Sequence, residues 1–194
     1  MRKKILEQRQ ALSAGEVAHR SKRILDNFLK HSSELLPEGV ESVALYFPIR
    51  GEVDTRAFHA HLRSGRKRCL FPRVAKAAKL QPLEFFEVAD WSELRLGAFG
   101  IGEPVPLPGV APVKPDVVLV PGTAFSLDAH RLGYGAGHYD ATVDAWKAEG
   151  QRASVRLVGL AYEFQIVERL PSEPHDQRLD FVVGEERFVV GGIE

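Results

Sequence analysis

Apolar residues recur at helical spacing through Val17, Ile24, Leu25, Phe28 and Leu29, while Arg20, Lys22 and Arg23 fall between them. That pattern predicts a helix with one face on a core and a charged face in water. Just ahead of it, Ser13-Ala-Gly-Glu16 has the form of a capping box, and Met1–Leu12, rich in helix formers around Ile5, Leu6 and Leu12, predicts an earlier helix. The period then shortens. Val40 to Phe47 is a β-favouring run ended by Pro48, which predicts a buried strand. Asp54 or Thr55 is placed to cap a helix running through Leu62, and Cys69-Leu-Phe-Pro72 reads as a short strand. A hairpin-like stretch lies around Leu83-Glu-Phe-Phe-Glu-Val88, and Phe99 to Pro104, dense in Gly and Pro, reads as loop. Asp116 to Pro121 is almost wholly apolar, as in a strand covered on both faces. A helix from about Asp140 to Glu149 and strands at 155–162 and 180–183 continue the alternation. This order predicts the α/β class, a single three-layer α/β/α domain with a mostly parallel sheet spanning residues 1–194.

Composition narrows the class. The chain has 194 residues, 44% of them hydrophobic, which suits a globular protein of one domain. Its one cysteine, Cys69, has no partner in the chain for a disulfide. The first thirty residues lack the apolar centre of a signal peptide, and no run approaches the roughly 18 apolar residues of a membrane span, so a cytoplasmic protein without membrane attachment is expected. Lys and Arg total 26 against 26 Asp and Glu, which argues against a general nucleic-acid binder. The charge is nonetheless segregated. Arg2 to Lys30 holds 8 basic and 3 acidic residues, Arg63 to Lys79 holds 7 basic and none acidic, and 161–194 holds 8 acidic and 3 basic.

The densest chemistry lies in Arg131-Leu132-Gly133-Tyr134-Gly135-Ala136-Gly137-His138-Tyr139-Asp140, between a buried strand and a predicted helix. Alternate glycines let backbone N–H groups approach an anion, and the helix terminus adds a positive dipole end. The spacing is neither a Walker A loop nor the dinucleotide fingerprint. It suits either phosphate, with Arg131 able to pair two of its oxygens, or simply a tight turn. Asp140 reads as a helix-dipole partner or as a ligand for Mg²⁺ carried on phosphate. His175-Asp176 offers a second carboxylate in a Pro-flanked loop, where a turn is the commoner reading. Glu52 and Asp54, two apart in a loop read as extended, share a side from which they could accept bonds from an N–H-rich heterocycle, although Asp54 also suits a helix cap. His59 and His61 lie two apart on a predicted helix and so face different ways, which makes them poor partners for one metal.

Taken in order, ALYFPIRGEVDT, FGIGEP, PDVVLVPGTAFSLDAHRLGYGAGHYD and LPSEPHDQRLDFVV resemble the 5-formyltetrahydrofolate cyclo-ligase family, also called methenyltetrahydrofolate synthetase, over nearly the whole chain. The resemblance implies a three-layer α/β/α fold and an ATP- and Mg²⁺-dependent conversion of 5-formyltetrahydrofolate to 5,10-methenyltetrahydrofolate. It assigns ATP to Arg2 and to Arg131, Leu132, Gly133, Tyr134, Gly135, Ala136, Gly137, His138 and Tyr139. It assigns the folate to Ile49, Glu52 and Asp54 together with Tyr134 to His138, and the metal to Asp140 and Asp176. The implied partners are ATP and 5-formyltetrahydrofolate, with or without a polyglutamate tail, and the implied state is a monomer or weak homodimer. Departures from the family pattern are Ala136 where some relatives carry Lys, His138-Tyr139 where many have two aromatics, His130 where Gly often precedes the arginine, and Ala141 where Arg or Lys is common. The Lys that the family places before its N-terminal arginine is lacking, and Lys3 and Lys4 are its nearest substitutes.

Two other classes compete with the enzyme. One is a non-catalytic paralogue that binds nucleotide or folate. The other is an RNA-associated protein using Arg63 to Lys79, disfavoured because that run offers Phe71 alone for base stacking. A further expectation is that this run attracts anionic folate tails.

Overall fold

The structure is a computed structural model and describes residues 1–74, 81–97, 100–171 and 177–192. Helix α1 (Arg2–Gln10) is followed by α2 (Ala14–Lys30), whose start carries the expected capping box: Ser13 Oγ accepts from Glu16 N at 3.3 Å and Glu16 Oε2 accepts from Ser13 N at 2.9 Å. A short turn of helix, α3 (Ser32–Leu35), leads to β1 (Ser42–Ala44). Then come α4 (Arg56–Ser64), β2 (Arg68–Val74), β3 (Leu83–Glu87), β4 (Arg95–Leu96) and β5 (Gly102–Glu103). The chain continues through β6 (Val117–Val120), β7 (Ala124–Ser126), β8 (Arg131–Leu132), α5 (His138–Ala148), β9 (Arg156–Leu160), β10 (Ile166–Val167), β11 (Phe181–Val183) and β12 (Phe188–Val190).

The main sheet has the order β12-β11-β9-β6-β1-β2-β3. Its five inner strands are parallel and the two edges antiparallel, so the expectation of a mostly parallel sheet holds. Val43 lies opposite Cys69 on one side and Val117 on the other. Alternate residues enter opposite cores: Val117 and Leu119 pack with Ile24, Phe28, Phe58 and Leu62, whereas Val118 and Val120 pack with Val143 and Trp146. Helices α2, α3 and α4 therefore cover one face and α5 the other, which is why β6 reads as an unbroken apolar run.

The structure departs from expectation at four points. Strand β1 is shorter than its apolar run, ending at Ala44, although Leu45 N still donates to Leu70 O at 2.8 Å. The segment read as loop contains β5, which pairs antiparallel with β4; Phe99 lies outside the described residues. Helix α5 begins two residues earlier than expected, at His138. Strands β7, β8 and β10 form a separate small sheet, too short to carry a periodic signal. Among the described residues no helix is long and apolar enough to cross a membrane.

The topology fixes where a ligand can enter. From β1 the chain runs outward to β2 and β3, then crosses back to lay β6 on the other side of β1. Loops leaving the carboxyl ends of β1 and β6 thus diverge, and a sheet of this kind opens its binding crevice at such a reversal.

Candidate active site

The loop after β1 is a tight turn and not the extended segment expected. Glu52 N donates to Ile49 O at 3.0 Å, and the two central residues, Arg50 and Gly51, have φ of 50° and 72°. Gly51 is required twice over: its φ is left-handed, and a Cβ there would sit 2.8 Å from Arg9 O. The turn buries Glu52, whose Oε2 accepts from Ile49 N at 2.9 Å, and leaves Ile49 half-buried. Asp54 serves the following helix, the simpler of its two expected roles: its carboxylate accepts from Arg56 N at 3.0 Å and pairs with the Arg56 guanidinium at 2.6 Å. Thr55 stands at the N-cap position but turns its hydroxyl to Tyr46 O at 2.7 Å. Glu52 and Asp54 nevertheless line one cleft of about 160 Å³ with Val17, Pro48, Gly51 and Arg56.

The glycine loop closes the crevice from the other side. Gly137, at φ 70°, takes the N-cap position of α5 and supplies no side-chain cap, so the helix presents its first N–H groups without the oxygen that Ser13 supplies to α2. Such an end suits an anion. Gly135 and Ala136 are exposed, while Leu132, Gly133, Tyr134, Gly137, His138 and Tyr139 are half-buried. His138 Nδ1 donates to Gln81 O at 3.0 Å, tying α5 to the segment that leads into β3. Arg131 Nη2 is shared between the two carboxylate oxygens of Asp140 at 2.9 and 3.0 Å, and its guanidinium lies over the Tyr139 ring. The phosphate and metal candidates therefore face each other as a pair.

Tyr134 joins the two loops. Its hydroxyl donates to Glu52 Oε1 at 2.6 Å and accepts from Arg9 Nη2. Arg9 is a residue that sequence reasoning misses. It is 1% exposed and distributes its guanidinium over three places: Nε donates to Arg50 O at 3.0 Å, Nη1 to Gly122 O at 3.2 Å, and Nη2 to Tyr134. Glu52 Oε1 is 3.9 Å from Nη1. The available signal is its spacing: Arg9 follows Ile5 by four residues on the buried face of α1, where an apolar residue is expected. Gln165 is missed as well; its Nε2 donates to Gly122 O at 3.0 Å and Thr123 O at 2.9 Å, fixing the turn after β6.

Arg2 stands elsewhere. It is exposed at the start of α1, on the same face as Arg9 but two turns away, or roughly 10 Å along the axis. Asp176 and His175 lie outside the described residues. His59 is buried and donates to Val88 O at 3.1 Å, and His61 is exposed, so the two face different ways as their spacing predicts.

Burial pushes Glu52 above the usual glutamate range, while Tyr134, Ile49 N, Arg9 and Arg50 pull it back. Burial and the nearby Glu52 carboxylate raise the Tyr134 phenol, so it stays a donor at neutral pH. Asp54 is pushed up by burial, yet the bonds from Arg56 hold it below its usual value. Cys69, buried, is pushed up to about 12 and is inert.

The crevice thus joins an acidic loop able to accept from N–H groups to an uncapped helix start beside an arginine and an aspartate. The profile of the 5-formyltetrahydrofolate cyclo-ligase family matches residues 1–185. The chain belongs to that family. The 5-formyltetrahydrofolate cyclo-ligase of Haemophilus influenzae is 34% identical over 159 residues, covering 80% of this chain and 82% of that protein. The solved structure of Aquifex aeolicus 5,10-methenyltetrahydrofolate synthetase superposes with a TM-score of 0.78 at 34% identity, covering all of this chain and 93% of that one. A Mycoplasma pneumoniae 5,10-methenyltetrahydrofolate synthetase structure gives 0.69 at 26% identity, over 95% and 96% of the two chains.

Proposed function

We propose that this chain converts 5-formyltetrahydrofolate and ATP to 5,10-methenyltetrahydrofolate, ADP and phosphate, with Mg²⁺. The observation that carries the reading is the meeting of Glu52 and Tyr134 at the β1–β6 crevice, in a chain of this family. An N-formyl oxygen is a poor leaving group. Transfer of the γ-phosphoryl group to that oxygen makes it a good one; N10 then attacks the formyl carbon, loses its proton, and phosphate departs with the former carbonyl oxygen. Positioning and charge neutralisation supply most of the catalysis of phosphoryl transfer.

The residues have matching tasks. The turn carrying Ile49, Glu52 and Asp54 orients the folate; Glu52 retains lone pairs beyond those used by Tyr134 and Ile49 N. The backbone from Arg131 to Tyr139 receives the ATP phosphates, with Arg2 on the same helical face as Arg9 as an outer contact. Asp140 offers the oxygen chemistry a hard cation requires, and among the described residues there is no cluster of three or more ligating side chains. That set suits a cation held by one or two carboxylates and by phosphate, and Asp140 with Asp176 would hold it. Mg²⁺ there supplies neutralisation of phosphate charge. Arg131 then exchanges its carboxylate partner for phosphate oxygens.

The test is incubation with 5-formyltetrahydrofolate and MgATP, which is expected to yield ADP and the methenyl chromophore in equal amounts. ADP formation without the chromophore, or folate binding without turnover under any divalent cation, defeats the reading and favours a non-catalytic relative. Asp140→Asn is expected to fold normally and to need several-fold more Mg²⁺ for half-maximal rate; an unchanged Mg²⁺ requirement removes Asp140 from the metal site.

A further inference from the structure

We propose that Arg9 is a positioning residue for the cyclo-ligase reaction, holding the folate-side turn and the nucleotide-side loop in one register. This rests on the functional reading above. The geometry is specific. Strands β1 and β6 diverge at their carboxyl ends, and Arg9 enters that divergence from α1, bonded to Arg50 O after β1 and to Gly122 O after β6. Its third arm meets the Tyr134 hydroxyl, which in turn donates its own proton to Glu52. One planar fork therefore spans all three loops that border the crevice.

Burial of an arginine is costly unless it is paired, and its carboxylate partner, Glu52, stands 3.9 Å from Nη1 and is also linked to Nη2 through the Tyr134 hydroxyl. A residue serving only to hold α1 down could do so with an apolar side chain, as Ile5 does one turn earlier. The fork instead fixes the angle of a phenol and a carboxylate assigned to substrate. Lysine cannot substitute, since one ammonium does not reproduce three donors in a fixed plane. Gly51 completes the fit, because only a residue without Cβ admits Arg9 O against the turn.

The experiment compares Arg9→Lys and Tyr134→Phe, singly and combined, in protein shown to be folded by circular dichroism. Arg9→Lys is expected to lower kcat at least about tenfold and to raise KM for both 5-formyltetrahydrofolate and ATP. The double variant is expected to lose little beyond the worse single one, since both act through one phenol. Folded Arg9→Lys with wild-type kcat and KM, or losses that multiply in the double variant, overturns the proposal. Should Arg9→Lys not fold, the arginine Nε–H resonances of ¹⁵N-labelled wild-type protein decide. 5-Formyltetrahydrofolate alone, and Mg²⁺ with a non-hydrolysable ATP analogue alone, are each expected to shift the Arg9 signal; shifts elsewhere with Arg9 unmoved by either overturn it. Wild-type protein that binds neither probe and forms no methenyl product removes the functional reading, and the proposal with it.

Discussion

Glu52 carries a carboxylate into a buried position, facing Arg9 of α1, Arg50 of its own turn, and the phenols of Tyr134, Tyr46 and Tyr139. Burial raises all three phenols away from neutral pH and raises Glu52 above its usual value, so among these acids Glu52 is the one whose titration moves toward neutral pH. The sign follows from linkage. In the unfolded chain Glu52 loses its proton near 4.5, whereas the folded chain retains it to higher pH. The folded state thus binds more protons above that point, and stability conferred by Glu52 falls as pH rises from 4.5 through the folded value. Glu52→Gln has no such dependence. Relative to wild type, the Gln variant is expected to gain stability as pH rises from 4 to 8, by about 1.4 kcal/mol for each pH unit that separates the folded and unfolded pKa, while losing turnover. Denaturant unfolding of both proteins across that range checks it, and a pH-independent difference refutes the assignment.

At the scale of elements, the junction of α1 with the turn after β1 rests on Gly51. Gly39 offers an internal comparison, with a φ of 88° and nothing within 4 Å of where a Cβ would stand, against 72° and a 2.8 Å clash at Gly51. Gly39→Ala is expected to cost about 1–2 kcal/mol, the left-handed penalty alone. Gly51→Ala is expected to cost more and to weaken 5-formyltetrahydrofolate binding, because α1 must shift and carry Arg9 with it. Equal melting temperatures and equal KM for the two variants contradict this. The difference between these junctions and the elements they join explains what the sequence can reveal. Helix α2, its capping box and strand β6 follow from local period and cap chemistry, and they are legible. The glycine loop and acidic turn are legible as motifs. Arg9 and Gln165 are not, since their partners, Arg50, Gly122 and Tyr134, are brought to them by the reversal of strand order and by no neighbouring residue. The turn at Arg50 and Gly51 reads as extended from sequence because an arginine at positive φ leaves no compositional trace.

For the whole molecule, the cancelling charge resolves into pairs between distant segments. The basic face of α2 meets the acidic turn between β11 and β12: Arg20 reaches Glu185 at 2.7 Å and Arg23 reaches Glu186 at 2.6 Å. In the basic run that starts in the last turn of α4, Arg63 and Arg68 share Glu87 at 3.3 and 2.8 Å, and Lys67 donates to Val40 O, so these three are engaged within the fold; Lys76 and Lys79 lie outside the described residues. The charge proposed to meet ligands lies at the crevice, where Arg131 pairs with Asp140. There, binding of either substrate is linked to the stability of the whole chain, which we propose unfolds as one unit. A ligand at about 100 times its Kd contributes about 2.7 kcal/mol, and for a chain of this size that corresponds to a rise of roughly 5–10 °C in Tm. MgATP and 5-formyltetrahydrofolate are each expected to raise a single melting transition by that order, and EDTA to cancel most of the nucleotide's share while leaving the folate's intact. Two separate transitions argue against one cooperative unit. An ATP-induced rise that survives EDTA unchanged places the phosphates on Arg131 and the α5 terminus without metal, and takes Asp140 out of nucleotide binding.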